Sequence, residues 1–199
     1  MLFHYRNREA KYSTDSSVNG LLYLVSMKLF VSVALCTLFS FATFAAEGTK
    51  GPSKYSGEFA KHWKTARELT LAVADAMPAE NYDFKPNPEE MSFGEQIAHI
   101  AQANGSYCSR MGNGKSPIAK PDGYAKDTVM KLLGDSFDYC SEIITPLSDD
   151  QLGELRGPEG RQVSVRELTL GALMHMAHHR GQTEVYLRLK NIKPPTYKF

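Results

Sequence analysis

Apolar side chains recur at helical spacing in four separate stretches of the chain, divided by polar or Gly/Pro-rich segments. Phe59, Trp63, Ala66, Thr70, Val73 and Met77 lie three or four apart and predict a first amphipathic helix, stopped by Pro78. With Pro78, Pro86 and Pro88, residues 78–91 read as a loop crossing the surface. A second helix carries Phe93, Ile97, Ile100, Asn104 and Tyr107 on one face and ends near residues 112–114. A third spans about residues 127–145, with Met130, Leu133, Phe137, Cys140 and Ile144 on its stripe. Residues 149–162, polar and punctuated by Gly153, Gly157 and Gly160, form a linker, and a fourth helix then continues to about Asn191, ended by Pro194 and Pro195. Ser92-Phe93-Gly94-Glu95 and Ser164-Val165-Arg166-Glu167 are Ser-x-x-Glu capping boxes, in which hydroxyl and carboxylate satisfy the free amide donors of a helix start. With no strand pattern and no internal repeat, the expected fold is an all-α four-helix bundle.

The fourth helix breaks its own pattern. Val165, Leu168, Ala172, His175, His179, Gln182, Tyr186 and Leu189 alternate in steps of three and four as a packing seam does, yet imidazoles stand where an apolar pair belongs. Side chains four apart on a helix are separated by about 6 Å along the axis and roughly 40° around it, so His175 and His179 can reach one metal ion. His178 lies off the seam, beside Gly171 and Val185. Two core histidines hydrogen-bonded to backbone or carboxylate would read the same way, since HxxxH is a short string. A bundle metal site draws ligands from facing helices. Periodicity does not choose the third ligand: His99 and His62 both flank the stripes of their helices.

Composition changes the picture mainly at the N-terminus. The 199 residues carry 23 Lys and Arg against 22 Asp and Glu, a formal charge of +1, which suits one globular domain and offers no basic stretch for nucleic acid. Residues 27–45 have one Lys, an unbroken apolar run and a small-residue exit in which Thr43 and Ala45 fill the cleavage positions. That is the layout of a signal peptide and predicts a periplasmic or secreted protein. Residues 1–26 then read as an upstream extension before a true start at Met27, and residues 46–55 as a tether to a domain over residues 56–199. Leu21 to Val25 lengthen the apolar stretch, so an uncleaved membrane anchor is the alternative. Leu35 before Cys36 is too bulky for a lipoprotein site. In an oxidising compartment the two remaining cysteines, Cys108 and Cys140, are expected to pair.

The strings Met91-Ser92-Phe93-Gly94-Glu95-Gln96-Ile97-Ala98-His99-Ile100-Ala101 and His175-Met176-Ala177-His178-His179-Arg180-Gly181-Gln182, followed by Tyr186-Leu187-Arg188 and Pro194-Pro195, resemble the DinB-like superfamily of metal-binding four-helix bundles. The resemblance runs from Phe59 to Tyr197. It implies a divalent metal bound by one histidine of the second helix and the HxxxH pair of the last, here His99, His175 and His179, with His178 as the extra histidine beside the second ligand. Three neutral imidazoles leave a coordination position open for water or substrate, and nitrogen-only ligation suits zinc, nickel, iron or cobalt rather than magnesium or calcium. Glu95, one turn before His99, and Gln182, three after His179, are candidates to orient the ligands from behind. Glu95 reads first as a cap, and Arg180 as a structural contact.

The family implies metal-dependent enzymes, among them transferases that use small thiols and related isomerases. Export removes the chain from the reducing cytosolic thiol pool and so favours hydrolase-type or other metal-assisted chemistry on a small molecule over thiol transfer. A non-catalytic metal- or ligand-binding bundle is the second class. The expected partners are a small-molecule substrate and a second copy of the chain as a homodimer, with a membrane involved only if the signal segment is retained. The catalytic residues and the substrate are not legible.

Overall fold

The computed structural model describes residues 51–197. The chain divides into Met1–Thr49 and Lys50–Phe199, and the described residues belong to the second unit. The expected upstream extension, the signal peptide and Cys36 lie outside the described residues. Four long helices make up the fold: α1 (Lys54–Ala76), α2 (Phe93–Met111), α3 (Lys126–Ile144) and, after a five-residue helix α4 (Asp149–Gly153), α5 (Val165–Leu189). The helix read as the fourth in the sequence is thus α5. Around the bundle, α2 packs on α3 and α5, and α1 closes the other side against the same two helices.

Helix α1 starts at Lys54, inside the stretch read as tether, because Ser53 caps it: its Oγ accepts from the Ser56 amide at 2.9 Å. The Ser53 amide and Ser56 hydroxyl both donate to the Leu147 carbonyl, tying this start to the chain beyond α3. All six residues of its predicted stripe are buried, and Trp63 lies 5.0 Å from Phe137 between ring centroids, its indole N–H donating to the Phe137 carbonyl. Ring contact and donor satisfaction together lock α1 to α3.

Residues 78–91 do more than cross the surface. Tyr82 is buried and donates to the Ala74 carbonyl at 2.7 Å, while the carbonyls of Tyr82 and Phe84 accept from the amides of Gly94 and Phe93. Two donors at the start of α2 therefore find partners in the loop, beyond the Ser92–Glu95 capping box that also forms. A Cβ on Gly94 would meet the Tyr124 carbonyl oxygen at 2.5 Å, so only glycine permits this close approach. The linker 149–162 is likewise more ordered than expected. It holds α4 and a two-residue antiparallel pairing in which Leu155 faces Ser164 and Arg156 faces Val163. Gly157 (φ 112°) and Gly160 (φ 76°) sit in the turn between them, in backbone conformations that side chains disfavour. Sequence periodicity cannot reveal strands of two residues.

The seam expected on α5 is displaced at its middle. Val165, Leu168, Ala172 and Tyr186 are buried as expected, but in the middle of the helix the buried positions are Met176, Arg180 and Thr183, whereas His175, His179 and Gln182 are half-buried and Leu189 is 54% exposed. The histidines thus occupy the edge of the packed face that borders α2. Among the described residues, no helix is long and apolar enough to cross a membrane.

Cys108 of α2 and Cys140 of α3 are joined, with sulfurs 1.96 Å apart and Cα atoms 5.3 Å apart across 32 positions of sequence. Closing a loop of that length is worth about 3 to 4 kcal/mol by loss of chain entropy in the unfolded state. Denatured, unreduced protein beginning at Ala46, which lacks Cys36, should therefore show no thiol reactive toward a colorimetric reagent, and Cys108→Ala/Cys140→Ala should unfold at lower denaturant with α-helical circular dichroism retained. Two reactive thiols per chain would contradict the pairing.

Candidate metal centre

Helices α2 and α5 bring three imidazoles to one point. The ring centroids of His99 and His175 are 5.0 Å apart, those of His99 and His179 4.5 Å, and those of His175 and His179 4.5 Å. One nitrogen from each ring falls within 4.8 Å of the other two, and each residue is half-buried. The site thus combines a pair one helical turn apart on α5 with a single residue across the interface, as ligation by facing helices requires. His62, the other histidine left open by periodicity, lies exposed on α1 outside this group. His178 is exposed and also outside it, its Nε2 lying 3.2 Å from the Gln182 amide nitrogen.

Sequence reasoning missed Gln96. This residue is 1% exposed on α2, and its side-chain oxygen lies 2.8 Å from His179 Nδ1. An amide oxygen only accepts, so Nδ1 must carry the proton and donate, which leaves the Nε2 lone pair for a metal. Gln96 therefore sets both the tautomer and the ring orientation of His179 from the opposite helix. A signal was available: Gln96 is a polar residue one turn before His99 with no part in the capping box. Glu95, the carboxylate considered for that task, is instead held by its own helix start. Its Oε2 accepts from the Ser92 amide at 2.6 Å and pairs with Lys85 at 3.3 Å, and the Ser92 hydrogen bond pulls its pKa below the usual carboxylate range. Gln182 contacts His178, and its side-chain oxygen is buried without a hydrogen-bond partner. Arg180 is buried, 3.8 Å from Glu184 one turn on.

The electrostatics suit metal ligation. Burial, followed by the neighbouring His99, His175 and His178, lowers the pKa of His179 to about 4; its contact with Gln182 offsets part of the shift. Burial also lowers the pKa of His175, with His99 and His178 adding to the effect. Both rings are therefore neutral near pH 7, with lone pairs available, and no proton need leave before an ion enters. His175 Nδ1 is buried with no hydrogen-bond partner among the described residues. Three nitrogen donors without a carboxylate fit a divalent transition ion and not the oxygen-seeking magnesium or calcium. Tyr107 forms one wall, its ring 6.1 Å from that of His175. It fits there because Gly171 opposite has no Cβ, which would come within 2.9 Å of the tyrosine ring.

Known proteins supply an independent view of the arrangement. The sequence model of the DinB superfamily matches residues 62–183. An uncharacterized protein of Bacillus subtilis, YjoA, is 25% identical over 137 residues, covering 67% of this chain and 89% of its own. The crystal structure of YjoA, described as DinB-like, superposes with a TM-score of 0.61 at 24% identity, covering 71% of this chain and 97% of that one. A DinB-like protein of Bacillus cereus gives a TM-score of 0.61 at 20% identity, with 70% and 95% covered. A member of the DinB family from Exiguobacterium sibiricum gives 0.54 at 18% identity, with 75% and 98% covered.

Removing the Gln96 acceptor should weaken metal binding without dismantling the bundle. Gln96→Leu is expected to lower affinity for a divalent transition ion by about 10- to 100-fold. Gln96→Glu, which keeps an acceptor at that place, should lose less. Competition with a chromogenic chelator measures both, and equal affinities for wild type and Gln96→Leu would show that Gln96 does not position His179.

Proposed function

This chain belongs to the DinB superfamily, and on that premise we propose that it is an exported metal-dependent enzyme acting on a small molecule, its divalent transition ion held by His99, His175 and His179. The observation that carries the reading is the convergence of three nitrogens from two helices at a half-buried point, one of them aimed by a buried amide. A closed structural site is usually filled by four protein ligands, often thiolates, whereas three imidazoles leave room for a further ligand. An ion so held supplies Lewis acidity at an open coordination position. The chain's own residues perform the remaining tasks. The three imidazoles bind without cancelling the ion's charge, Gln96 keeps His179 in the ligating tautomer, and Tyr107 and the backbone around Gly171 narrow access from one side.

Export rests on the pattern of residues 27–45, and the joined pair Cys108 and Cys140 accords with an oxidising destination. That placement supports hydrolytic or other metal-assisted chemistry over transfer to an abundant cytosolic thiol.

Elemental analysis of purified protein should find about one divalent transition ion per chain, the occupancy expected of a single site of this kind. His99→Ala, His175→Ala and His179→Ala should each lower occupancy far more than His178→Ala. A site emptied by His178→Ala and not by His179→Ala would overturn the ligand assignment. Cobalt-loaded protein tests for the open position: azide should perturb its visible spectrum, and a spectrum indifferent to added anions would favour a non-catalytic binding bundle.

Expression from Met27 in a bacterial host should yield envelope protein whose N-terminus lies at or near Ala46. Mass spectrometry that found residues 27–45 intact on the native protein would make that segment an anchor.

A further inference from the structure

On the side of α5 turned toward α1, away from the three histidines, a cavity of about 430 Å³ opens between the two helices. Ala66 of α1 and Leu173, Met176 and Ala177 of α5 supply apolar lining, and none of His99, His175 and His179 takes part. Arg180 also lines it, together with His62 and Thr65 of α1. Arg180 is 9% exposed, and its Nε is buried without a hydrogen-bond partner. The Glu184 carboxylate is its ion-pair partner but stands 3.8 Å from Nε, beyond hydrogen-bonding distance, and Nη1 contacts the Met176 sulfur at 4.0 Å. A guanidinium has five N–H donors and no acceptor, and burying such a charge without hydrogen bonds costs several kcal/mol. Tyr197, whose ring centroid lies 5.7 Å from the guanidinium carbon, offsets part of that cost through its π face but supplies no anionic oxygen.

We propose that this cavity is a second ligand site, specific for a small carboxylate with an apolar tail, the carboxylate accepting from Arg180 and the tail lying along Leu173, Met176 and Ala66. A planar carboxylate presents two oxygens to the guanidinium fork and so meets Nε, the donor the fold leaves unmatched. The aliphatic and thioether wall suits a flexible chain better than a rigid polar one, because methionine side chains adapt to the shape of their neighbours. A phosphate or sulfate would satisfy Arg180 but leave the apolar lining wet, and a neutral apolar molecule would fill the lining but leave Nε without an acceptor. The inference is independent of the metal centre, since it uses the opposite flank of α5.

Calorimetric titration of the purified protein with octanoate and with 1-octanol tests it. The two probes share the tail and differ in the charge. Octanoate should bind more than about tenfold more tightly than octanol, the gap expected of a charge-assisted pair in a partly buried site. Arg180→Met keeps much of the volume and removes the buried charge, so it should fold, retain metal content and lose the preference for octanoate. Thr65→Trp fills the cavity from its α1 wall, leaves Arg180 in place and should abolish binding of both probes. Octanoate binding that is equally tight in wild type and Arg180→Met, that survives Thr65→Trp, or that is absent at millimolar concentration would overturn the proposal.

Discussion

The histidine cluster depends on α2 and α5 lying side by side in one register. His99 is carried by one helix and His175 and His179 by the other, so a one-turn slip of about 5.4 Å would remove the third nitrogen from reach of the pair. The register is held from both ends and in the middle. The loop carbonyls of Tyr82 and Phe84 anchor the start of α2, and Tyr186 of α5 donates to the Met91 carbonyl just before it. Tyr107 fits against Gly171, and Gln96 reaches across to His179. Each contact is specific to position along the helix, which apolar packing by itself enforces only weakly.

Placing imidazoles at such an interface has a cost, visible in the lowered pKa values of His175 and His179. The fold disfavours their charged forms, and between the ordinary histidine pKa and about 4 the unfolded chain binds more protons at His179 than the folded one does. Stability contributed by neutral His179 is therefore complete above the ordinary histidine range and falls away as pH drops through the folded value. The same environment keeps the nitrogens unprotonated and close together. Polar residues at the bundle's edge thus weaken packing there and create the donor set that an ion can use.

Helix α5 has a different chemical character on each flank. Toward α2 it presents neutral nitrogen donors, and toward α1 a buried cation beside an apolar cavity. Between these flanks runs the buried stripe of Ala172, Met176, Thr183 and Leu187 that joins the helix to the core. The division follows from helical geometry, because consecutive residues such as His179 and Arg180 point about 100° apart. One short string in the sequence therefore serves two separate surfaces.

The helices were legible in the sequence because their signals are local. Apolar residues at steps of three and four, two Ser-x-x-Glu boxes and the prolines after α1 and α5 each act within a few residues, and all four long helices appear where that pattern lies. The spacing of His175 and His179 was equally local, as was the exposed position of His178. What lay beyond reach was everything that one element does to another. Periodicity could not choose between His62 and His99, since both flank a stripe; the family resemblance named His99, and the pairing of α2 with α5 places it beside the pair. The seam on α5 held at Val165, Leu168, Ala172 and Tyr186 but was read one position away from its buried centre at Met176 and Thr183, because a helix edge that borders a neighbour resembles a buried face in sequence. Glu95 stayed with its own capping box, and Gln96 became the partner of His179 because it alone of the two is buried toward α5. Local spacing determined which residues share a helix and a face; packing between helices decided which of them meet, because contact across an interface depends on registers that no single segment encodes.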